Sequence, residues 1–599
     1  MKLICKGTEI YRRRPRQVKV FLLLGVLALC LGIRVAWGWC VPLDKRHFYP
    51  RDLSASLSLV EGHGLRFFPP SSLVMHESND DVRAVREFMT QRRWRLSREE
   101  LGRALRVVEL KQHPNVPLFA RIFEVHIVAG LWRIFGVDWG VIFFFYACLS
   151  TLACLAIFLM ARRVADSAWA GLIASFLYAF SGTELIHSVW SIRDTNPTWF
   201  FIYALSWFVC RVDRPLRSGS WNAGSILMLG VLSTIGIGWR RDALMIPPFL
   251  LLGVLVVLVG KRCTWRRVVA SVLLFVVGVI SVLMFRSHLG REVKPTGRNA
   301  LGAFHMAHYA ESQRIHIANY PNFFQVERSD ELTFHQAHVW QRTYYPEDTF
   351  IPYQGNYGLY CLEMFLEQAR HNGYEWVKDL PEYWWMILSE VANSKAKTVV
   401  GKPSFDVPSW IFLSSLPLSV FGVFWLLWVG RNREVVLVMV ALSVYYALLL
   451  WFMLPEVKHY TPMMIPLAVL GGVGGFGLLR VLLVSQERRV LRENWRPGVR
   501  FLVVLALGVA SIYYSLYFLS KGVQGARRAS YEEALNRLAA EDSGWVEEKT
   551  EPNRFVYSVR EGDDRSSRLF AVDIEGEGGK ELLRCWNQHV VIHSRLSVE

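Results

Sequence analysis

Nothing among the 599 residues reads as a metal-binding cysteine framework. The nine cysteines are scattered as Cys5, Cys30, Cys40, Cys148, Cys154, Cys210, Cys263, Cys361 and Cys585. None makes a CxxC pair or a Cys/His cluster with zinc spacing, which excludes a structural zinc site of that kind. Internal repeats and low-complexity tracts are also missing, so a solenoid or a disordered linker protein is not indicated. Acids are fewer than bases, 51 against 68, giving a net charge of +17. That excess could suggest a nucleic-acid binder. The basic residues instead punctuate long apolar blocks, the arrangement that sets membrane topology, and nucleic acid is excluded as a partner. Hydrophobic residues make up 52% of the chain and aromatic residues 14%.

The blocks run to about 18 to 23 residues, enough to cross roughly 30 Å of hydrocarbon at about 1.5 Å per residue. The first expected span is Val18–Trp39, behind a leader carrying Arg12, Arg13, Arg14, Arg16 and Lys19. Trp37-Gly38-Trp39-Cys40 lacks the small residues of a cleavage site, so the span reads as an uncleaved anchor. Ten further spans are expected at Trp139–Met160, Trp169–Ile186, Pro197–Cys210, Ala223–Trp239, Ala243–Val259, Val268–Phe285, Pro408–Val429, Val435–Met453, Pro462–Val484 and Phe501–Leu519. Pro117–Phe135 carries Arg121, Glu124, His126 and Arg133, and is expected to lie along the interface as an amphipathic helix.

Alternate connections hold the positive charge, from Arg162-Arg163 through Arg211, Arg214 and Arg217 to Arg488-Arg489. The positive-inside rule places these and the N-terminus in the cytoplasm. Residues 40–138 and 286–407 and the tail 520–599 then face outward. The expected fold class is an all-α polytopic membrane bundle of about eleven helices, with extracytoplasmic loops and a small α+β C-terminal module. Its divisions are a basic N-terminus over 1–17, the membrane domain over 18–519 and the module over 520–599. In the tail, Tyr531–Ala540 reads as a helix, while Phe555–Val559, Leu569–Ile574 and Val590–His593 read as strands.

The short outer turns carry charge. Arg193-Asp194 opens one span, Arg240-Arg241-Asp242 joins two, and Glu456, Lys458, His459 and Tyr460 precede Pro462. Arg34 lies near the outer end of the first span, and Glu184 and His187 lie just inside the same face. An ionised group at membrane depth costs about 2.5–3.5 kcal/mol on insertion scales, so such groups pair or line a polar cavity. Snorkelling to headgroups would explain any one of them. The set converging on one face suits a phosphate oxyanion held by Arg and Lys, with Asp and Glu for charge balance or a metal.

After the first span the chain reads Asp44-Lys-Arg-His-Phe-Tyr-Pro-Arg-Asp52, then Leu53 to Val60 and Glu61-Gly62-His63-Gly64-Leu65. Leu53, Leu57 and Val60 at helical spacing predict a short helix from Asp52 with a glycine stop. Asp52 could be its N-cap, or a general base at the mouth of the bundle.

This loop resembles that of the GT-C superfamily of membrane glycosyltransferases, which use polyprenyl-phosphate sugars, including the protein mannosyltransferase-like members. Lys111-Gln-His113-Pro114 running into Leu131–Gly136, Trp239-Arg-Arg-Asp242 with Pro247-Pro248, and Glu456-Val-Lys458-His459-Tyr460 with Pro462 are similar to three further segments of that family, in the same order. The resemblance covers residues 18–485. It implies inverting transfer of one sugar from a polyprenyl-phosphate carrier to a glycan, lipid or protein acceptor at the outer face of a bacterial plasma membrane. It implies a catalytic base at Asp52 or Asp44. The family spacing to the glycine stop lies between the two, since Asp52 stands ten and Asp44 eighteen residues before Gly62. Arg34, Arg193, Arg240, Arg241, Lys458, His459 and Tyr460 would hold the donor phosphate, with Asp194, Asp242 and Glu456 as supporting acids. A divalent metal could share that task, as in some relatives. Trp384-Trp385 is followed by Met386-Ile387, which departs from the oligosaccharyltransferase signature. The alternatives are an O-antigen ligase or polymerase, a transporter, and a non-catalytic scaffold. A transporter would show paired halves, and none is visible.

Overall fold

The computed structural model describes residues 15–40, 50–68, 70–90, 92–112, 121–181, 192–213, 221–239, 243, 246–260, 263–291, 337–338, 340–348, 356–357, 359–364, 366, 370, 415, 418–426, 464–483, 554–560 and 567–573. Helix dominates among the described residues. The chain divides into two units. The first holds Met1–Pro295, Glu390–Val444 and Tyr460–Leu507, and the second holds Thr296–Ser389, Tyr445–His459 and Gly508–Glu599.

In the first unit, α1 (Pro15–Cys40) precedes a group of short elements. These are α2 (Pro50–Val60), β1 (Arg66–Phe67), α3 (Pro70–Met75), α4 (Asp80–Met89), β2 (Arg95–Leu96), α5 (Arg98–Val107), β3 (Lys111–Gln112), α6 (Ile122–Phe135) and β4 (Val137–Asp138). Antiparallel β1–β3 and β2–β4 pairs pin the group together, with Arg66 opposite Gln112 and Arg95 opposite Asp138. The short helices α4 and α5 are capped as helices in water are. The Asn79 side chain accepts from the Asp81 and Val82 amides to start α4. Ser97 and Glu100 close a capping box on α5. Phe88 of α4 is fully buried, stacked on Trp139 at 5.2 Å and edge-on to Trp132 at 5.6 Å.

The long helices then follow as α7 (Trp139–Ala165), α8 (Ala168–Ala179), α9 (Ile192–Trp207), α10 (Ala223–Ile235), α11 (Ile246–Gly260), α12 (Trp265–Leu289) and α13 (Met464–Leu483). Among the described residues, α7 and α12 are long and apolar enough to cross a membrane, with mean hydropathies of 2.4 and 2.9. A π-helical turn, Phe208–Asp213, extends α9, and a 3₁₀ turn, Gly236–Gly238, extends α10. Small residues allow close approach. A methyl group added at Gly230 of α10 would run into the Phe275 carbonyl of α12, and one at Gly278 would meet the Leu227 carbonyl. Helix α13 packs on α8 in the same manner, Gly472 lying against the Ala170 carbonyl. Of the other expected spans, residues 418–426 are helical, while Val435–Met453 and Phe501–Leu519 lie outside the described residues.

In the second unit, Ala337, Trp340, Tyr357, Tyr360, Cys361 and Met364 form a buried cluster. Cys361 is a free thiol. The strands β5 (Arg554–Arg560) and β6 (Ser567–Asp573) pair antiparallel, Tyr557 opposite Phe570, over the two runs expected to be strands there. The expected tail helix and the third run lie outside the described residues.

Candidate active site

The short helix after the first span is present and stops at glycine, Gly62 adopting φ +81° and Gly64 +74°. It begins at Pro50, whose fixed φ suits a first helical position. Asp52 is therefore in the first turn rather than at the cap. An acid there is still favoured by the unpaired amides of the helix start. The sequence suggested an apolar stripe, yet Leu53 through Ser58 are all buried, serines included. The Ser56 hydroxyl donates to the Val125 carbonyl at 3.2 Å and ties α2 to α6.

A single apolar cluster joins elements of three flagged segments. Ala55 of α2, Leu65, Ile122, Phe123 and Val125 of α6, Trp239 and Val282 are buried together. Phe200 of α9 packs against them, its ring 4.4 Å from that of Trp239. The Phe123 and Trp239 rings meet edge-on at 5.9 Å. Gly238 lies directly against the Phe123 ring, where a larger residue would not fit. The helix bearing Asp52, the helix whose first turn bears Arg193 and Asp194, and the residue preceding Arg240 thus share one core.

Arg34 is 1% exposed in α1. Its Nε donates to the Ser150 hydroxyl of α7 at 2.5 Å, and its Nη1 donates to Cys30 Sγ at 2.8 Å and to the Ala179 carbonyl of α8 at 3.5 Å. Just beyond Ala179, the Ser181 hydroxyl reaches Met464 Sδ at 3.4 Å, at the start of α13. Asp44, Glu184, His187, Arg240, Arg241, Asp242, Glu456, Lys458, His459 and Tyr460 lie outside the described residues. Asp52, Arg193 and Asp194 are placed by backbone alone. Among the described residues no three of His, Cys, Asp and Glu stand together as metal ligands.

Helix α6 differs from the interfacial helix expected over Pro117–Phe135. Its first half is buried, including Glu124 at 8% exposure, whose Oε1 accepts from the Tyr146 hydroxyl of α7 at 3.3 Å. Only its end is open, where Arg133 donates to the Leu59 carbonyl of α2. Hydropathy cannot distinguish a helix that meets headgroups from one covered by another short helix. The same limit hid a second polar grouping, in the second unit. Tyr360 donates to Asp348 at 2.5 Å, and Tyr345 donates to Glu363 at 2.5 Å. Burial and the Asp348 bond push the Tyr360 phenol up to about 12.

No protein-family model and no curated protein matches the sequence. Among solved structures, the chain is similar to the apo crystal structure of the oligosaccharyltransferase of Archaeoglobus fulgidus, with 14% identity and a TM-score of 0.41. The match covers 84% of this chain and 56% of that one, so this chain spans little more than half the length of that enzyme.

Proposed function

We propose that this chain is a multi-spanning membrane glycosyltransferase that moves one sugar, with inversion, from a polyprenyl-phosphate carrier to an acceptor at the outer face. The observation that carries the reading is the shared core beneath α2, α6, Trp239 and α9, because these elements bear three of the charged segments singled out in the sequence. Phosphate leaves readily, so the departing oxygen needs little acid help. The acceptor hydroxyl needs a carboxylate base on the opposite face of the sugar, the geometry of single displacement. Asp52 or Asp44 supplies it, and the buried α2 gives Asp52 a fixed platform. In this reading the carrier phosphate is held by some or all of Arg193, Arg240, Arg241, Lys458, His459 and Tyr460, because positive charge stabilises the developing anion. Arg34, already donating to protein acceptors, adds fixed positive charge. Asp194, Asp242 and Glu456 balance these cations or hold a divalent metal.

Asparagine variants test the assignment. A general base contributes about 10²–10⁴ in rate, so Asp52→Asn or Asp44→Asn loses that turnover with donor affinity retained. Normal turnover in both variants removes the base from this loop.

A further inference from the structure

A groove of about 580 Å³ opens beside α1 and α7 in the first unit. It falls within the range of about 300–1,000 Å³ typical of small-molecule sites. Its walls are largely apolar, with Val35 and Trp39 from α1, Phe135 from α6, and Val141 and Phe144 from α7, and they also include the buried Arg34 and, at the rim, Asp138. Trp39 is 79% exposed and Phe135 65%, large apolar surfaces that water would not favour.

Along α7 the lining runs from Asp138 to Cys148, which is about 15 Å at 1.5 Å per residue. That is half of a hydrocarbon core roughly 30 Å thick, the depth of one leaflet. The rim is basic. Arg95 lies in β2, paired through Nε to Asp138 at 2.5 Å, and its side chain remains 83% exposed. Arg92 and Arg98 flank it and are also exposed. Glu100 is already engaged by Arg93, at 2.9 Å. The β2–β4 pairing holds this rim at the first residue of α7, where the apolar helix starts.

We propose that the groove is a binding site for an anionic phospholipid of the surrounding bilayer, one acyl chain lying between α1 and α7 and the phosphate on Arg92 and Arg95. One-leaflet depth suits a phospholipid chain, and the arginine rim suits an anionic headgroup. The inference rests on the membrane reading above; Arg34 is shared with the proposed donor site, and competition with polyprenyl phosphate separates the two occupants.

Native mass spectrometry of the full chain in detergent, doped with phosphatidylglycerol or with phosphatidylcholine of the same acyl chains, tests it. Phosphatidylglycerol should be retained about tenfold better or more. Arg92→Gln with Arg95→Gln should reduce it to the phosphatidylcholine level. Val141→Trp, which fills the groove, should reduce both lipids. The rim variants keep the test open if the filled groove fails to fold. Equal retention of the two lipids, indifference to the rim variants, or displacement of phosphatidylglycerol by equimolar polyprenyl phosphate overturns the site. Release of the chain from membranes by carbonate without detergent overturns the membrane reading instead.

Discussion

The helices α4 and α5 and the glycine-packed pair α10 and α12 reach stability by different routes. The first pair is capped, ion-paired and apolar on one side only. Asn79 and Ser97 satisfy the first amides, Arg103 binds Asp81 at 2.8 Å, and Phe88 fills the space beneath Trp139. That Arg103 bond holds the Asp81 carboxyl below its usual range. The pair α10 and α12 shares the capping, Asn222 accepting from the Ser225 amide, but differs in how its apolar surface is used. Helix α12 leaves Leu273, Val277, Ile280 and Met284 exposed, and its contact with α10 rests on glycines brought backbone to backbone. On the membrane reading proposed above, the difference is that between two solvents. Water rewards capping and a one-sided apolar face, whereas hydrocarbon gives no hydrophobic gain between helices and leaves close packing to hold them.

The comparison is sharpest at its two cores. Phe88→Ala should cost about 3–5 kcal/mol, read as a loss of thermal stability of the purified chain. Gly278→Leu should cost about 1–3 kcal/mol, because the clash is with backbone, and should appear as a lower unfolding temperature in detergent. Gly25→Leu is the control, since nothing lies within 4 Å of a methyl placed there. If both glycines tolerate leucine, the close-packing account of the α10–α12 pair fails. Ser97→Ala should cost about 0.5–2 kcal/mol, confined to α5 and read as faster amide exchange in its first turn. An unchanged exchange pattern would mean that α5 is held by packing alone.

The smallest effect extends water-type behaviour to the second unit. The Tyr360 phenol, raised to about 12, favours the fold fully below its ordinary value of 10.0, and that support is lost as pH rises through 12. The Asp348 carboxyl is lowered by its bonds from Tyr360 and Asn356. Its support is full above 3.8 and lost as pH falls through the lowered value. Tyrosinate absorbance should therefore include late-titrating phenols, Tyr345 being raised as well by its bond to Glu363, and in Asp348→Asn the Tyr360 part of that signal should move toward 10.0. A titration identical in the two proteins would separate the pair.

Helices α1, α7, α12 and α13 were legible from their apolar runs, although among the described residues only α7 and α12 are long and apolar enough to cross a membrane. The stop at Gly62 was legible because positive φ selects glycine. The start of α2 was misjudged by two residues, since Pro50 outranked the acid as a helix opener. The α4–α5 pair was missed, although Ser97-x-x-Glu100 is a capping-box signature that could have revealed it. The convergence of Ala55, Phe123, Trp239 and Phe200 could not be read at all, because contacts across such sequence distances leave no periodic trace.

The central claim is that this core supports glycosyl transfer from a lipid phosphate. Purified protein incubated with a panel of polyprenyl-phosphate sugars and with membrane glycan, lipid and protein acceptors tests it most directly, the readout being free polyprenyl phosphate. The account predicts release from at least one donor, with loss of that release in Asp52→Asn or Asp44→Asn. No release from any donor, or release undiminished in both variants, would contradict it.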